Sequence, residues 1–429
     1  MKQIIIALLL FTAVSACKAP EKTHVKNLDD IADQYVKLAL EIGQYDDDFV
    51  DAYYGPEQWK PKANSEGSLP YEELKWQTTS LINQLKSIDD LDFSLNELLR
   101  FQFLNKQLQA VRTKLDMMSG KRYPFDVESL RLYDVVAPRT ELSDYDVILE
   151  ELVGLLPGEG DFSEKYALYR KQFVIPADKL DKVFKAAINE ARKRVKAEID
   201  LPENESFDLE YVTDKPWSGY NWYKGNAHSI IQINTDFPIH IERAIDLACH
   251  EGYPGHHVFN VMLEKNLVIE NNWHEFQVYP LFSPQSFIAE GSANAGINVA
   301  FTKEERLNFE KEILFPLAGI DPSKAEQYYL IQALRKKLKA VGINIARSYL
   351  NSEISDEVAI GHLVKYLQYS PLKAKQRLEF YDRYRSYVIN YSLGEEYVTR
   401  HLEDNLNEEH DKWELFKILL SSPRTASTL

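Results

Sequence analysis

Apolar residues recur at intervals of three and four along most of this chain, which is the spacing of one face of an α-helix. The stretch 95–118 is the clearest example, and its apolar stripe consists of Leu98, Phe101, Leu104, Leu108 and Val111. The same pattern predicts helices over 28–42, 71–88, 127–136, 144–155, 177–199, 284–300, 303–315, 322–350, 371–391 and 411–420. We expect these stripes to be packing surfaces.

Strand patterns begin only after residue 202. Residues 229–234 are rich in β-branched side chains and run into Asn-Thr-Asp, which predicts the best strand of the chain. Residues 209–212 predict a shorter strand, and the aromatic, Gly-punctuated stretch 217–226 is typical of a loop. Residues 230–234 fit either an edge strand that pairs with an extended peptide or a plain structural strand. The predicted fold class is therefore mainly α with a small β-sheet.

The N-terminus has the pattern of a secretory signal, which covers residues 1–16. A basic start at Lys2 precedes the apolar run 4–14, which is too short to span a bilayer as a permanent helix. Small residues then lead to Cys17, as in the bacterial lipobox, where the Cys becomes the lipidated first residue. We expect acyl chains on Cys17 and a tether over 17–26 to hold the protein on a membrane of the bacterial cell envelope, facing the periplasm. The alternative is an ordinary signal peptide with an incidental Cys.

Composition narrows the possible partners. The 429 residues include 50 basic and 66 acidic side chains, which gives a net charge of −16, and there is no basic block. Nucleic acid is therefore not expected as a partner. Apart from the lipidated Cys17, Cys249 is the only Cys of the mature chain, so it has no free thiol to pair with in an internal disulfide. We divide the mature chain into an N-terminal helical region, 27–205, and a second region, 206–429, which carries the dense histidine cluster. No pattern in the sequence indicates the oligomeric state.

Residues 249–257 read Cys-His-Glu-Gly-Tyr-Pro-Gly-His-His and concentrate groups that bind metals and transfer protons. A catalytic zinc site takes three protein ligands and leaves one position for water. The common His-Glu-x-x-His spacing places two imidazoles on one helical face, with a Glu beside the water. A helix that opens at Pro238 delivers His250 and Glu251, but Pro254 occupies the position of the second His. The common spacing is therefore absent.

The spacing of these histidines requires a break in the helix. In an unbroken helix His256 points away from His250, and His257 lies about 10 Å along the axis, so neither shares a zinc ion with His250. Pro254 removes a helical hydrogen bond and clashes with the preceding turn, and the glycines beside it allow shapes that other residues resist. We expect the helix to end near Tyr253 and to restart with Pro254 in its first turn, which returns His256 toward His250.

The string His-Glu-x-x-Pro-Gly-His-His, from His250 to His257, resembles the signature of the bacterial family called "domain of unknown function 885". Many members of that family are exported or lipid-anchored. The family is similar to gluzincin-type helical zinc peptidases of the thimet oligopeptidase and carboxypeptidase Taq type. The resemblance implies a helical, zincin-like metallopeptidase fold with a central cleft and Zn²⁺ as cofactor. The Gly-His pair of those enzymes resembles Gly255-His256, which favours His256 over His257 as the second ligand.

The same resemblance implies a third ligand and an oxyanion donor. Residues 289–293 read Ala-Glu-Gly-Ser-Ala and are similar to the family's second motif, Glu-Gly-Trp-Ala, except that Ser292 replaces the Trp. This implies Glu290 as the third metal ligand. Tyr391, in a Tyr-x-x-Gly pattern similar to a late motif of the family, is then the oxyanion donor, and Glu251 is the general base. Amphipathic packing is the alternative interpretation of Tyr391.

Candidate substrate-binding residues lie on the predicted helix 371–391. Arg383 and Arg385 are candidates for holding a substrate carboxylate, and Tyr387 shares a helical face with Arg383. Ordinary surface arginines are the alternative interpretation.

These features predict a zinc metallopeptidase that cleaves peptide bonds of small peptides with metal-activated water. In this interpretation region 206–429 is the metal-binding catalytic region, and a peptide substrate is the expected partner. One alternative is a non-catalytic envelope lipoprotein that captures a peptide or glycan. An intact Glu251 beside His250 argues against it, because a structural metal site needs no base. The other alternative is a zinc amidase that acts on cell-wall amides.

Overall fold

Helices make up most of this structure, a computed structural model that describes residues 23–62, 70–159, 162–215 and 217–429. The helices are Thr23–Ile42 (α1), Tyr71–Lys86 (α2), Leu95–Met118 (α3), Phe125–Tyr133 (α4), Asp146–Leu155 (α5), Phe162–Lys171 (α6), Leu180–Glu198 (α7), Glu242–Leu247 (α8), His256–Leu263 (α9), Pro284–Ala300 (α10), Lys303–Phe309 (α11), Phe315–Ala318 (α12), Ala325–Leu338 (α13), Val341–Leu350 (α14), Asp356–Leu367 (α15), Pro371–Tyr384 (α16), Ile389–Asp404 (α17) and Lys412–Leu420 (α18). The strands are Val50–Tyr53 (β1), Ser206–Val212 (β2), Gly219–Tyr223 (β3), His228–Asn234 (β4) and Val278–Pro280 (β5). The predicted fold class, mainly α with a small sheet, is confirmed.

Helices with local start signals lie where the sequence predicts them. Ser94 caps α3, because its hydroxyl accepts from the backbone N–H of Glu97 while the Glu97 carboxylate accepts from the backbone N–H of Ser94. Likewise, Ser283 precedes α10, whose first residue is Pro284.

The prediction of a single helix over 322–350 is wrong. The chain makes a turn at Lys339 and Ala340, which separates α13 from α14. Lys and Ala both favour helix, so the local pattern carried no signal of the turn. The helix α15 was not predicted.

The prediction of one helix over 371–391 is also wrong. The helix α16 ends at Tyr384, and Arg385 has a φ of +51°, a region that non-glycine residues rarely adopt. The buried Glu128 carboxylate accepts hydrogen bonds from Arg385 Nε at 2.6 Å and from the Ser386 hydroxyl at 2.7 Å. A contact from a distant helix thus supports the break, and Arg383 and Tyr391 lie on different helices.

The main sheet has three strands in the order β2-β4-β3. The strand β4 pairs in parallel with β2 and antiparallel with β3, so it is the central strand. The interpretation of residues 230–234 as an edge strand is therefore wrong, and the sheet edges belong to β2 and β3. The predicted loop 217–226 contains β3, whose aromatic residues favour strands. The strands β1 and β5 form a separate antiparallel pair.

One contiguous apolar cluster extends from Leu28 to Ala426 and joins the N-terminal region to the histidine-bearing region. A buried ion pair also links them: Arg100 Nε of α3 lies 2.6 Å from Glu275 Oε1, and both side chains are almost fully buried. The N-terminal helices therefore form part of the same packed body as the candidate site.

The helices α10 and α17 approach each other backbone to backbone. A Cβ atom added at Gly291 would lie 2.6 Å from the Gly394 carbonyl oxygen, so glycine at position 291 permits the close approach. This packing brings Glu290 of α10 opposite Tyr387, which lies just before α17.

The predicted signal peptide, 1–16, and the lipidation site Cys17 lie outside the described residues. The predicted tether, 17–26, enters the described part of the chain at Thr23, where α1 already begins. No helix in the described part of the chain has the length and apolarity needed to cross a membrane.

Candidate metal centre

The histidine cluster occupies a bend between two helices. The helix α8 continues into a single π-helical turn at Ala248–Gly252, Tyr253 is extended, and α9 begins at His256. The chain thus breaks near Tyr253 as predicted. However, the predicted restart with Pro254 in the first helical turn is wrong, because Pro254 lies in the connecting bend. A Cβ atom at Gly255 would lie 1.9 Å from the His250 carbonyl oxygen, so the bend requires glycine there.

The bend and α10 bring three potential ligands together. Glu290 Oε2 lies 3.4 Å from His250 Nε2 and 3.9 Å from His256 Nε2. The two imidazole centroids are 4.7 Å apart, with the ring planes at 87°. One nitrogen or oxygen from each residue fits within a group no wider than 4.8 Å. The structure therefore assembles the predicted ligand set, and its binding of a metal stays a prediction.

The chemistry of this group fits a divalent metal ion. Glu290 Oε1 accepts a hydrogen bond of 2.8 Å from the Tyr387 hydroxyl, whereas Oε2 is buried and accepts none within the described part of the chain. An unsatisfied buried carboxylate oxygen is costly unless a cation or donor compensates it. Two imidazoles and one carboxylate are a common donor set for catalytic Zn²⁺ and leave a coordination position open.

Burial and neighbouring charges shift the pKa of each candidate ligand. Burial lowers the pKa of His256 to about 4, so its imidazole is neutral at pH 7, as a metal ligand must be. Burial also disfavours the charged form of His250, but Glu290 and Glu251 outweigh it and raise its pKa. Burial acts to raise the pKa of Glu290, but contacts with His250 and His256 outweigh it and lower the pKa. Glu290 therefore presents a negative charge to the two rings.

His257, the alternative second ligand, lies away from this group. Its side chain is fully buried, with Nε2 3.0 Å from Glu205 Oε1 and Nδ1 2.8 Å from the Ser229 hydroxyl oxygen. Both ring nitrogens are thus engaged by protein groups outside the ligand group.

The candidate base, Glu251, is buried against strand β3. A Cβ atom at Gly219 would lie 2.9 Å from Glu251 Oε1, so the absence of a side chain at this position makes room for the carboxylate. Asn221 Nδ2 donates a 2.8 Å hydrogen bond to the Glu251 carbonyl oxygen. Burial raises the pKa of Glu251 to about 7, against the opposing charge of His250. A carboxyl group with this pKa can both accept and release a proton near neutral pH.

The two candidate tyrosines lie beside Glu290. The Tyr387 hydroxyl, predicted to bind substrate, donates instead to Glu290 in this structure. The Tyr391 ring packs edge-on against the Tyr387 ring at 5.7 Å. Burial, and then the charge of Glu290, raise the pKa of Tyr391, so its hydroxyl remains a proton donor at neutral pH. The predicted role of Tyr391 is compatible with this placement and stays a prediction.

The two candidate arginines contact protein carboxylates. Arg383 makes two hydrogen bonds of 2.7 Å to Asp48 on the exposed surface. Arg385 binds the buried Glu128 carboxylate at the break between helices. The geometry lends no support to their predicted contacts with substrate.

Strands β1 and β3 contribute residues that the sequence analysis missed. The Tyr220 hydroxyl donates to the Asp51 carboxylate, and burial raises the pKa of Asp51 to about 6, with the charge of Glu290 adding to the rise. Asp51 carried no local signal, because it is far from the cluster in sequence. The Gly-punctuated aromatic pattern of 217–226 is the available signal for Gly219 and Asn221, and by itself it predicts a loop.

Comparisons with known proteins identify similar folds. No family model and no curated protein matches the chain. A candidate lipoprotein from Colwellia psychrerythraea has a TM-score of 0.54 at 14% identity, over 83% of this chain and 68% of that one. A protein designated BsuCP has a TM-score of 0.46 at 11% identity, over 93% of this chain and 89% of that one. The M32 carboxypeptidase from Deinococcus radiodurans R1 has a TM-score of 0.36 at 11% identity, over 93% and 90% of the two chains. The first likeness shows a shared fold alone, and the other two are too weak to carry an argument.

Proposed function

We propose that this protein is a zinc-dependent hydrolase that cleaves peptide bonds of small peptides. The observation that carries the proposal is Glu290 Oε2, which is buried, accepts no hydrogen bond within the described part of the chain, and lies 3.4 Å from His250 Nε2 and 3.9 Å from His256 Nε2. Glu251, the residue that follows His250, is also buried. A structural metal site would require the three ligands but no adjacent base. This is why hydrolysis is favoured over a purely binding role.

The chain's own residues would divide the chemistry as follows. His250, His256 and Glu290 would hold Zn²⁺, which when bound acts as a Lewis acid and lowers the pKa of water. Glu251 takes a proton from the attacking water and delivers it to the leaving amine. The Tyr391 hydroxyl donates to the oxygen on which negative charge develops.

The outer edge of β3 is our candidate for holding the substrate backbone. β3 lies at the edge of the sheet, and its first residue, Gly219, is in contact range of Glu251. An extended peptide that pairs with this edge would place its backbone beside the base. Of the two interpretations of residues 230–234, the peptide-pairing one is thereby excluded, because β4 is the central strand.

The proposal is tested by measuring metal content and hydrolysis of the purified mature chain. We expect about one zinc per chain, as in a single three-ligand site, and cleavage of short peptides that stops on chelation and returns with zinc. Peptidoglycan fragments are assayed in parallel with the peptides to test the amidase alternative. A cell-wall amidase would hydrolyse amide bonds in those fragments and would not cleave the short peptides. Stoichiometric zinc without any hydrolysis would favour the non-catalytic lipoprotein. A protein that binds no transition metal would contradict the proposal.

We propose further that Cys17 anchors the protein in the bacterial cell envelope. The lipobox-like pattern at 14–17 supports this, and the similar structure from Colwellia psychrerythraea is described as a candidate lipoprotein. Radiolabelled palmitate should enter the wild-type chain and not Cys17→Ser when both are expressed in a bacterial host. Equal labelling of the two proteins would eliminate Cys17 as the lipidation site.

Replacing Tyr391 by Phe should lower kcat about 100-fold and leave KM and zinc content unchanged, because the substitution removes one donor to the developing oxyanion. Tyr397→Phe is the matched control, since Tyr397 lies on the same helix and packs its ring on Phe287. Steady-state kinetics on one peptide decide the outcome. An unchanged kcat in Tyr391→Phe would return Tyr391 to a packing role.

A further inference from the structure

Glu205 is a buried carboxylate on which several elements converge. Its side chain is fully buried, and it accepts hydrogen bonds from Arg192 Nη2 at 2.7 Å and Lys196 Nζ at 3.0 Å, both on α7. The Tyr253 hydroxyl and His257 Nε2, the latter at 3.0 Å, bind its other oxygen. These contacts lower the pKa of Glu205 although burial acts to raise it, so the carboxylate is ionised at neutral pH.

The contacts of Glu205 span the bend that forms the candidate metal centre. Tyr253 is the last residue before the bend, and His257 is the second residue of the helix after it. Because both side chains bind the same oxygen, Glu205 holds the two ends of the bend together. The same bend sets the 4.7 Å separation of the His250 and His256 rings.

A chain of polar contacts continues from this carboxylate to the candidate base. His257 Nδ1 lies 2.8 Å from the Ser229 hydroxyl oxygen, and the Ser229 hydroxyl lies 3.3 Å from Asn221 Oδ1. Asn221 Nδ2 in turn donates to the Glu251 carbonyl oxygen at 2.8 Å. One chain of contacts therefore links the bend to the backbone of Glu251.

Stability alone does not explain a charge buried at this position. Taking a carboxylate out of water is costly, and replacing a buried ion network by apolar residues is often neutral or stabilising. What the charged network supplies is a defined geometry, because each hydrogen bond constrains the distance and the angle between its partners. Here the constrained segments are those that carry two candidate ligands and the candidate base.

We propose that a network made of Glu205, His257, Ser229 and Asn221, here called the Glu205 network, positions the metal-binding bend and the catalytic base. The inference rests on the proposed function, because it assigns a purpose to the geometry of the same site. In it Glu205 and His257 set the affinity for metal through the bend, while Ser229 and Asn221 set the rate through the position of Glu251. They are positioning residues, because their side chains act on the bend and on Glu251 through protein contacts and are assigned no contact with the metal or the substrate.

The first test compares zinc affinity and kinetics across variants of the network. Glu205→Gln should weaken zinc binding about 10- to 100-fold in competition with a chromophoric chelator, the usual size of an effect transmitted through a ligand's supporting contacts. Asn221→Ala should leave zinc affinity at the wild-type level and lower kcat at constant KM, because only the base is displaced. A merely structural role would lower the melting temperature of both variants without this division.

The matched control is Glu190→Gln. Glu190 is an acidic residue of α7 that pairs with Arg194 at 2.9 Å. Among the described residues its side chain makes no hydrogen bond or ion pair with the bend. We expect wild-type zinc affinity and kcat for this variant. If Glu205→Gln does not fold, Tyr253→Phe removes a single hydroxyl from the same carboxylate and should also weaken zinc binding, though less.

The second test is a metal-free crystal structure of Glu205→Gln. We expect the His250 and His256 rings to separate beyond the 4.7 Å seen here, and to keep this spacing in Glu190→Gln. The ring spacing is measured without metal, so this test is independent of zinc binding. If the wild-type protein bound no zinc, the proposed function would be rejected. Displacement of the rings in Glu205→Gln would still support the network. Unchanged ring spacing together with wild-type zinc affinity in Glu205→Gln would overturn the network proposal.

Discussion

Replacing Glu251 by Gln should sharply lower the kcat of peptide hydrolysis while zinc stays bound, and this is the largest effect that we expect on activity. Gln has the shape of Glu and fits the space beside Gly219, but its amide accepts no proton from water. Loss of a general base typically lowers kcat by about 10²- to 10⁴-fold. The measurements are kcat on one peptide and zinc content per chain.

The control for this substitution is Glu270→Gln, which changes an exposed Glu beyond α9. It should leave kcat and zinc content at wild-type values. If Glu251→Gln kept most of the wild-type kcat, Glu251 would not be the base. Loss of zinc in the same variant would instead place Glu251 among the metal ligands.

Replacing His256 by Ala should remove zinc from the protein, whereas His257→Gln should retain it. His256 Nε2 faces Glu290 in the ligand group, so its loss leaves two ligands, too few for a stable zinc site. His257 instead binds Glu205, and Gln at position 257 preserves a polar contact with that carboxylate. We therefore expect His257→Gln to bind zinc at wild-type stoichiometry. Its affinity for zinc should be lower than that of the wild type, because the substitution alters a member of the Glu205 network.

Thermal unfolding gives an independent readout of the same comparison. A ligand that binds only the folded state stabilises it in proportion to the logarithm of its concentration over Kd. Chelation should therefore lower the melting temperature of the wild type and of His257→Gln, and leave that of His256→Ala unchanged. Stoichiometric zinc in His256→Ala together with its loss in His257→Gln would reverse the ligand assignment.

The structure gives His257 a role other than that of a metal ligand, because its side chain belongs to the Glu205 network. His257 was open as an alternative ligand because spacing alone does not separate two adjacent histidines that follow a break. In the structure its side chain points away from the ligand group and binds the carboxylate of Glu205, which lies between α7 and β2 in the chain. Adjacent residues at the start of a helix point about 100° apart, so one faces the candidate metal site while the other is buried behind it.

Several features of this protein were determined by local sequence. The capped helix α3, the Pro-initiated helix α10 and the strand β4 lie where their patterns predict them, because caps, proline and β-branched runs act on neighbouring backbone. The interruption of the helix after His250 follows in the same way from Pro254. The His-Glu pair of the histidine cluster also indicates Glu251 as a candidate base. The resemblance to a known family indicates His256 and Glu290 as metal ligands.

Tertiary structure alone decided the rest. Glu128 contacts the break at Arg385, β3 pairs along one side of β4 and makes it the central strand, and Glu205 binds both ends of the bend at the candidate site. Each of these is a contact between segments far apart in the chain. A residue's own neighbours fix its local backbone preferences, but the partner of a buried charge or the position of a strand in a sheet is set by which distant segments pack together.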